Sequence, residues 1–342
     1  MIKVNYWMNA LDYGGTSKTA YLFAKYLDKS KYEVEVFSYS DADLVRMPQF
    51  MEFCKVTLID RKNPNWSLLN DCSLLHSFRA GHPEKPEAGV QINVPHFVQT
   101  NVFGFYNNNP FIECDIFMSK WLMERTVGCN PVAKRFTYIY NPVESPATSD
   151  KFDLGLCDST IVLGRNGRPD NGVYDNISVL AAAKLLEKQY KIHFLCMAPP
   201  PAMIADLQKY QVPYTSIEPS IDPVVLSKFY NSISVYVEAR YEGHTCGSVL
   251  QEALIHGKPC VSYIAEPKYP GMAVFQAQTD IIQHGKTGFI SKYDIEDFTK
   301  HIELATDWNG FCLEAVRDAS ERFHILQGIK KLERIYEDVS QT

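Results

Sequence analysis

Two short stretches carry side chains suited to a phosphorylated, hydroxyl-rich ligand. The first is LGRNGRPDNG, Leu163 to Gly172, directly after a predicted strand. Arg165 and Arg168 are expected in the loop at that strand's C-terminal end. Guanidinium forks stay charged and bind oxygens two at a time, so a diphosphate suits them. The same residues also read as a solvated loop with incidental arginines. The second stretch is YEGHTCGSVLQEALIHGKPCVSY, Tyr241 to Tyr263. Gly247 and Ser248 open a short helix whose free N–H groups and dipole favour an anion, and small residues let a phosphate approach. Val249, Leu250, Ala253 and Leu254 form an apolar stripe. Gly257 suits the C-terminal cap, and Pro259 prevents continuation. Glu252 then lies about one turn inside the helix, on the face away from the stripe. It is either idle in solvent or an acceptor for a diol such as ribose.

His96 stands in VPHFVQTNVFGFYNNN. Aromatic rings and asparagines suit sugar recognition by stacking and hydrogen bonding. The segment equally suits a core edge with a polar loop, and a lone histidine is more often structural. His76 in LLHSF is a weaker candidate. Asp41 to Asp43, DAD, has the form of a metal-binding pair, but it follows the second strand without nucleotide-binding context. No other His/Asp/Glu cluster has ligand spacing, so no metal is expected. No G-x-G-x-x-G and no Walker motif occurs, which leaves a dinucleotide dehydrogenase poorly supported. GHTCG lacks the serine of a nucleophile elbow.

The elements that hold these residues alternate. IKVNYWM is a predicted strand, LDYGG a loop, TSKTAYLFAKYL a helix capped by Thr16 or Ser17, and EVEVFSY the next strand. That βαβ opening implies a parallel sheet. SLLHS, VQINV, CDIFM and FTYIY are further strands, and SKWLMERTVG is a helix ending at Gly128. NPVESPATSDKFDLGLCDS, rich in Pro, Ser, Thr and Asp, reads as an interdomain linker. After it the alternation restarts: TIVLG, DNISVLAAAKLLEKQ, KIHFLCMA, VVLSKFYNS and ISVYVEA run strand, helix, strand, helix, strand. The tail from Ile295 is nearly all helical, and LQGIKKLERIYEDV is expected to pack back on the first domain. Two tandem α/β domains create a cleft, with ligands beyond the C-terminal strand ends.

Composition sets the outer limits. The chain has 342 residues, 46% of them hydrophobic, which suits two domains with real cores. The net charge of −6 argues against nucleic acid as partner. Residues 1–148 hold 15 basic and 15 acidic side chains, so residues 149–342 carry the whole excess. Nine scattered cysteines without a Cys-x-x-Cys spacing suit reduced thiols in the cytoplasm. MIKVNYWMNA is too short and polar for a signal peptide, and no apolar run approaches the ~20 residues that span a bilayer. Peripheral membrane contact through Trp7, Trp66 or Trp121 stays open.

The order of motifs adds to this reading. Gly164-Arg165 follows the first strand of the second domain; EGHTCGSVLQEALIHGKPCV and then IIQHGKTGFI come later. Together they resemble the retaining family-4 glycosyltransferases of the GT-B fold, whose pattern runs Gly-Arg…Lys-Gly, Glu-x7-Glu and Gly-x-Thr-Gly. The GGT loop, Pro95-His96 and YNPV resemble the N-terminal half more loosely. The resemblance implies an α/β GT-B architecture with two Rossmann-like domains facing across a cleft. Residues 1–146, with a C-terminal helix at about 325–342, would bind the acceptor, and 147–324 the nucleotide sugar. It implies that Arg165 holds the donor diphosphate and Glu252 the ribose. Thr245, Cys246, Gly247 and Ser248 meet phosphate or sugar, Gly14 and Gly15 approach the diphosphate or acceptor, and His96 lies near the reacting sugar.

Three departures from the pattern matter. Family spacing back from Glu252 lands on His244, with Glu242 two residues earlier, so either side chain takes the first glutamate's place. The family lysine aligns with Asn171, and Arg168 supplies a cation nearby. MAPPP, Met197 to Pro201, stands where a Gly-x-Gly turn is usual, as a stiff turn. The implied activity is metal-independent, cofactor-free transfer of a sugar, with retention, from a UDP- or GDP-sugar to a glycan or lipid-linked sugar. A nucleotide-sugar epimerase of the same fold and a non-catalytic nucleotide- or sugar-binding protein remain as alternatives.

Overall fold

The computed structural model describes residues 1–79, 93–104, 111–129, 135–307 and 310–341. The chain forms two compact units, Met1–Pro142 with Ile325–Thr342, and Val143–His324. The boundary precedes residue 146 because Val143 belongs to the second unit. Its N–H donates to Phe323 O (2.9 Å), and it bridges to His324.

The first unit runs β1 (Ile2–Met8), α1 (Gly15–Tyr26), β2 (Tyr32–Tyr39), α2 (Met47–Met51), β3 (Lys55–Ile59), β4 (Leu74–Arg79), β5 (His96–Asn101), β6 (Cys114–Phe117), α3 (Lys120–Cys129) and β7 (Phe136–Tyr138). The second runs β8 (Ile161–Asn166), α4 (Ile177–Glu187), β9 (Ile192–Met197), α5 (Pro201–Lys209), β10 (Tyr214–Ile217), α6 (Pro223–Ser232), β11 (Val235–Val237), β12 (Gly243–His244), α7 (Ser248–Ile255), β13 (Cys260–Tyr263), β14 (Phe275–Gln276), α8 (Ala277–Ile281), β15 (Gly288–Ser291), α9 (Ile295–Asp307) and α10 (Phe311–Arg322). Helix α11 (Ile325–Ser340) returns to the first unit.

Both large sheets are parallel. Their orders are β3-β2-β1-β4-β5-β6-β7 and β10-β9-β8-β11-β13-β15. In each, the chain winds outward from the centre in one direction and then the other. The reversal falls between β1 and β4 in the first unit, and between β8 and β11 in the second. Open α/β sheets bind ligands outside the carboxyl ends of the strands at such a point.

Helix α11 docks by Ile325, Ile329, Leu332, Tyr336 and Val339, spaced four and three apart along one face. These side chains join Leu22 and Phe23 of α1 and Val4 and Tyr6 of β1 in one core. The core of the second unit sets Ala181, Ala182 and Leu185 of α4 and Phe298 and Ile302 of α9 against the strands.

Several elements depart from expectation. Gly14, in extended backbone, holds the N-cap position of α1, and neither Thr16 nor Ser17 caps it. Ser17 is buried instead, with its hydroxyl 2.7 Å from Asp12 Oδ1 and accepting from the Asp12 amide. The three prolines are not only a stiff turn: Pro201 occupies the first turn of α5, where its missing N–H costs nothing. Helix α5 and strands β3 and β10 are elements that the sequence pattern did not single out. The expected strand at 90–94 lies mostly outside the described residues, and the strand nearby begins at His96 instead.

Candidate functional site

The second unit gathers charged groups at its topological reversal. Strand β8 extends through Asn166, so Arg165 is a strand residue and not the loop residue expected. It is 3% exposed, and its Nε and Nη1 make no hydrogen bond. A buried guanidinium with unused donors is costly, because it has lost water without gaining partners.

Register pairs Gly164 of β8 with Tyr236 of β11, which brings Glu238, just beyond β11, level with the end of β8. Glu238 is 2% exposed. Burial alone would raise its carboxyl pKa. His244 first, then Arg165 and Arg240, overcome that and hold it at about 2.

From Glu238 a chain of hydrogen bonds runs across the strand ends. Tyr236 donates to Glu238 Oε2 (2.9 Å) and accepts from the Asn166 amide (3.3 Å). Asn166 Nδ2 donates to the Tyr230 hydroxyl (3.3 Å), which in turn donates to Glu252 Oε2 (2.6 Å). Both tyrosines are fully buried. The chain ties Glu252 to Glu238 beside Arg165.

Glu252 therefore lies neither in solvent nor on an outer face. It is 7% exposed, because every residue of α7 from Leu250 to Ile255 is buried. The apolar stripe meets the sheet, while α10 and α8 also pack on the helix, and only Ser248 and Val249 at its start stay half-buried.

Helix α7 starts at Gly247, whose φ of +58° is a left-handed conformation that side chains resist. No side chain caps this end. The first-turn amides of Ser248 and Val249 have no intrahelical acceptor. The loop before it is fixed at β12 and β14, where a Cβ on Gly243 would come within 1.8 Å of Phe275 O. The His244 amide donates to Gln278 Oε1 (3.1 Å), and His244 Nε2 faces Glu238 Oε1 at 3.4 Å.

Other expected residues sit less centrally. Glu242 is half-exposed and lies 3.8 Å from Arg240 Nη2. Thr245 and Cys246 are half-buried, the Thr245 hydroxyl directed at Cys246 Sγ (3.9 Å). Arg168 is exposed. Asn171 Oδ1 accepts from the Ala202 amide (3.0 Å), so its acceptor oxygen serves the start of α5. Sequence reading missed Glu238, Tyr230 and Tyr236. The available signal was an acidic residue closing the otherwise apolar ISVYVEA, since buried strands rarely end on an unpaired charge.

In the first unit, Gly14 and Gly15 follow the C-terminal end of β1, where α1 begins without a side-chain cap. Asp12 Oδ1 accepts from the Gly14 amide (2.9 Å), and Arg46 Nε donates to Asp12 O (3.0 Å), so this loop is held from both sides. His96 opens β5. It pairs with Leu74 and, through it, stands level with Val4. The glycine loop lies beyond Met8, four residues or about 13 Å further along the sheet. The fold thus keeps His96 and the glycines at opposite strand ends, and His96 Nδ1 meets Glu113 Oε1 at 3.1 Å.

His76 is enclosed, its ring nitrogens 2.5 Å from the Tyr336 hydroxyl and 2.7 Å from Thr100 Oγ1. Burial pushes its pKa down to about 3. Among the described residues no group of three or more His, Cys, Asp or Glu side chains could hold a metal ion. No helix among them is long and apolar enough to cross a membrane.

No family model matches the sequence, and no curated protein matches it. Solved structures do match. Anabaena Alr3699/HepE in complex with UDP and glucose aligns with TM-score 0.79 at 13% identity, over 99% of this chain and 100% of that one. A mutant of Staphylococcus aureus TarM, in complex with Fondaparinux, alpha-GlcNAc-glycerol and UDP, aligns with TM-score 0.74 at 10% identity over the whole of both chains. A glycosyltransferase from Rickettsia africae aligns with TM-score 0.73 at 12% identity, over 99% of this chain and 98% of that one. At such identities the likeness shows the fold, which is GT-B.

Proposed function

We propose that the chain is a hexosyltransferase-type glycosyltransferase that takes its sugar from a nucleotide-diphosphate donor, with UDP the first candidate. The observation that carries this reading is Arg165: a guanidinium 3% exposed, with two unused donors, at the topological reversal of a parallel sheet. A diphosphate there supplies the oxygens those donors lack. Solved structures of the same fold hold UDP or UDP-glucose, which supports the choice of nucleotide.

Breaking the bond from the anomeric carbon to a diphosphate builds negative charge on the leaving phosphate. Arg165 and the first-turn amides of α7 are fixed in place before that charge develops, so they stabilise it without reorganising. Glu252, held by Tyr230, accepts hydrogen bonds from the ribose hydroxyls, and Arg168 adds an exposed cation from the adjoining loop. The acceptor, a glycan or lipid-linked sugar, belongs to the first unit. Retention of anomeric configuration and independence from metal are part of the same proposal, and they rest on the motif resemblance.

The test is incubation with UDP-, GDP- and ADP-sugars, with and without sugar acceptors, and with a chelator in parallel. Release of nucleotide with glycoside formation supports the proposal. A changed sugar on an intact nucleotide identifies an epimerase. Saturable binding without either identifies a binding protein.

A further inference from the structure

His256, at the C-terminal cap of α7, has no part in the tasks assigned so far. Both of its ring nitrogens are engaged. Nδ1 lies 2.7 Å from Glu252 O, and Nε2 lies 3.2 Å from Ser227 Oγ. A carbonyl oxygen only accepts, so Nδ1 carries a proton, and in the neutral ring Nε2 keeps its lone pair. Ser227 of α6 is 3% exposed and accepts from the Ala147 amide (2.9 Å), which leaves its own proton to serve Nε2. Ser227 and Tyr230 are three apart on α6, and Glu252 and His256 four apart along α7, so each pair shares a helix face. Two rungs thus join the helices, Ser227 to His256 and Tyr230 to Glu252.

The His256 ring also covers Tyr230. The two rings stack with centroids 5.0 Å apart and planes at 30°. The Tyr230 hydroxyl has two acceptors within reach, Glu252 Oε2 at 2.6 Å and Val249 O at 3.4 Å. Where the tyrosine ring sits decides which one it serves, and the nearer, charged acceptor holds the stronger bond. An imidazole held at both nitrogens is a fixed wall against that ring. We propose that His256 is a positioning residue: it keeps Tyr230 aimed at Glu252 and, through Tyr230, sets the Glu252 carboxylate for the hydroxyls of a bound nucleotide. The nucleotide rests on the glycosyltransferase reading. The two rungs and the stack do not. His256 itself touches no ligand in this scheme.

A double-mutant cycle separates a positioning role from a merely structural one. His256→Asn keeps a donor near Nδ1 but removes the ring and Nε2. By calorimetry it is expected to weaken UDP binding about fourfold in the otherwise unchanged protein. In a Tyr230→Phe background, where there is no hydroxyl left to aim, the same change is expected to cost less than about 1.5-fold. Ser227→Ala, which keeps the ring and its Nδ1 bond, is expected to cost about twofold, again only while Tyr230 keeps its hydroxyl. Losses by His256→Asn that are equal in the two backgrounds overturn the role, because His256 then does not act through Tyr230.

The rungs are tested without any ligand. Nitrogen-15 shifts of His256 in the free wild-type protein, at alkaline pH where imidazoles are neutral, report the tautomer directly. The Nδ1–H form is expected. An Nε2–H form breaks both bonds of the ring and overturns the proposal whatever the protein binds. Wild-type protein that binds none of UDP, GDP and ADP ends the glycosyltransferase reading and the role toward a nucleotide together, while the tautomer still stands or falls by itself. The shifts need no variant, so they keep the proposal open to refutation where His256→Asn fails to fold.

Discussion

Two buried polar clusters, one in each unit, show how differently a fold spends its hydrogen bonds. Around His76 every ring nitrogen has a partner, and Tyr336 reaches on to Tyr6 (3.3 Å). The cluster is neutral, because burial holds the histidine uncharged. Around Arg165 the groups are charged, Glu238 is ionised, and two guanidinium donors go unused. A cluster that closes on itself stabilises a core. One left open and charged has given up stability, which is what a binding site does when it prepares donors in advance.

The largest test of that contrast is Arg165→Ala. Loss of a preorganised donor at the leaving phosphate should cut turnover of a UDP-sugar by roughly 100- to 1,000-fold. Thermal unfolding should move little, since the arginine makes few hydrogen bonds. His76→Ala should do the opposite. A cavity and an abandoned Tyr336 hydroxyl should cost about 2–4 kcal/mol in urea denaturation, with nucleotide affinity unchanged.

A third test uses pH. His76 is held below its ordinary 6.5, at about 3. In the same unit, Asp115 is pushed up by burial to about 7, against the pull of its hydrogen bond from Gln99 (2.9 Å). Between about pH 4 and 6.5 the unfolded chain protonates the histidine and the folded one does not, so this group favours folding more as pH rises. The folded chain keeps Asp115 protonated while the unfolded one ionises it, so that group favours folding less as pH rises. The two slopes oppose. Asp115→Asn should remove one of them, and its stability should then climb with pH by about 1.4 kcal/mol per unit more steeply than wild type across that window. Parallel pH profiles for the two proteins would contradict the assignment. The smallest effect is expected from Tyr230→Phe. It removes one hydrogen bond to Glu252 and should weaken nucleotide binding about fivefold, close to 1 kcal/mol, without changing the fold.

Much of the framework is legible in the chain alone. Strands such as IKVNYWM and KIHFLCMA are apolar runs bounded by turns, and α11 declares itself by the four-and-three spacing of Ile325, Ile329, Leu332 and Tyr336. Gly247 and Gly257 bracket α7 in the sequence as they do in the structure, where Gly257 takes a left-handed φ of +70°. The environment of Glu252 is not readable in the same way. Periodicity names one buried face, and α10 covers another from some 60 residues away in sequence. The place of His96 is hidden for a related reason: aromatic and asparagine content marks a ligand-friendly segment but does not say at which end of a strand a residue falls. Glu238 escapes notice because a carboxylate's partners are set by strand register, here Arg165 by β8 against β11 and His244 by β12 against β14. Local sequence does not encode that register.

The return of α11 to the first unit has a consequence for how the protein is made. The second unit is one unbroken segment, Val143–His324, and can condense as soon as it leaves the ribosome. The first unit cannot be completed then, although its strands are synthesised earlier. The surface that receives Ile329, Leu332 and Tyr336 stays bare until the last helix emerges. Newly made chains should therefore pass through a stage with a finished second lobe and a sticky, unfinished first one, the stage at which a chaperone has most to shield.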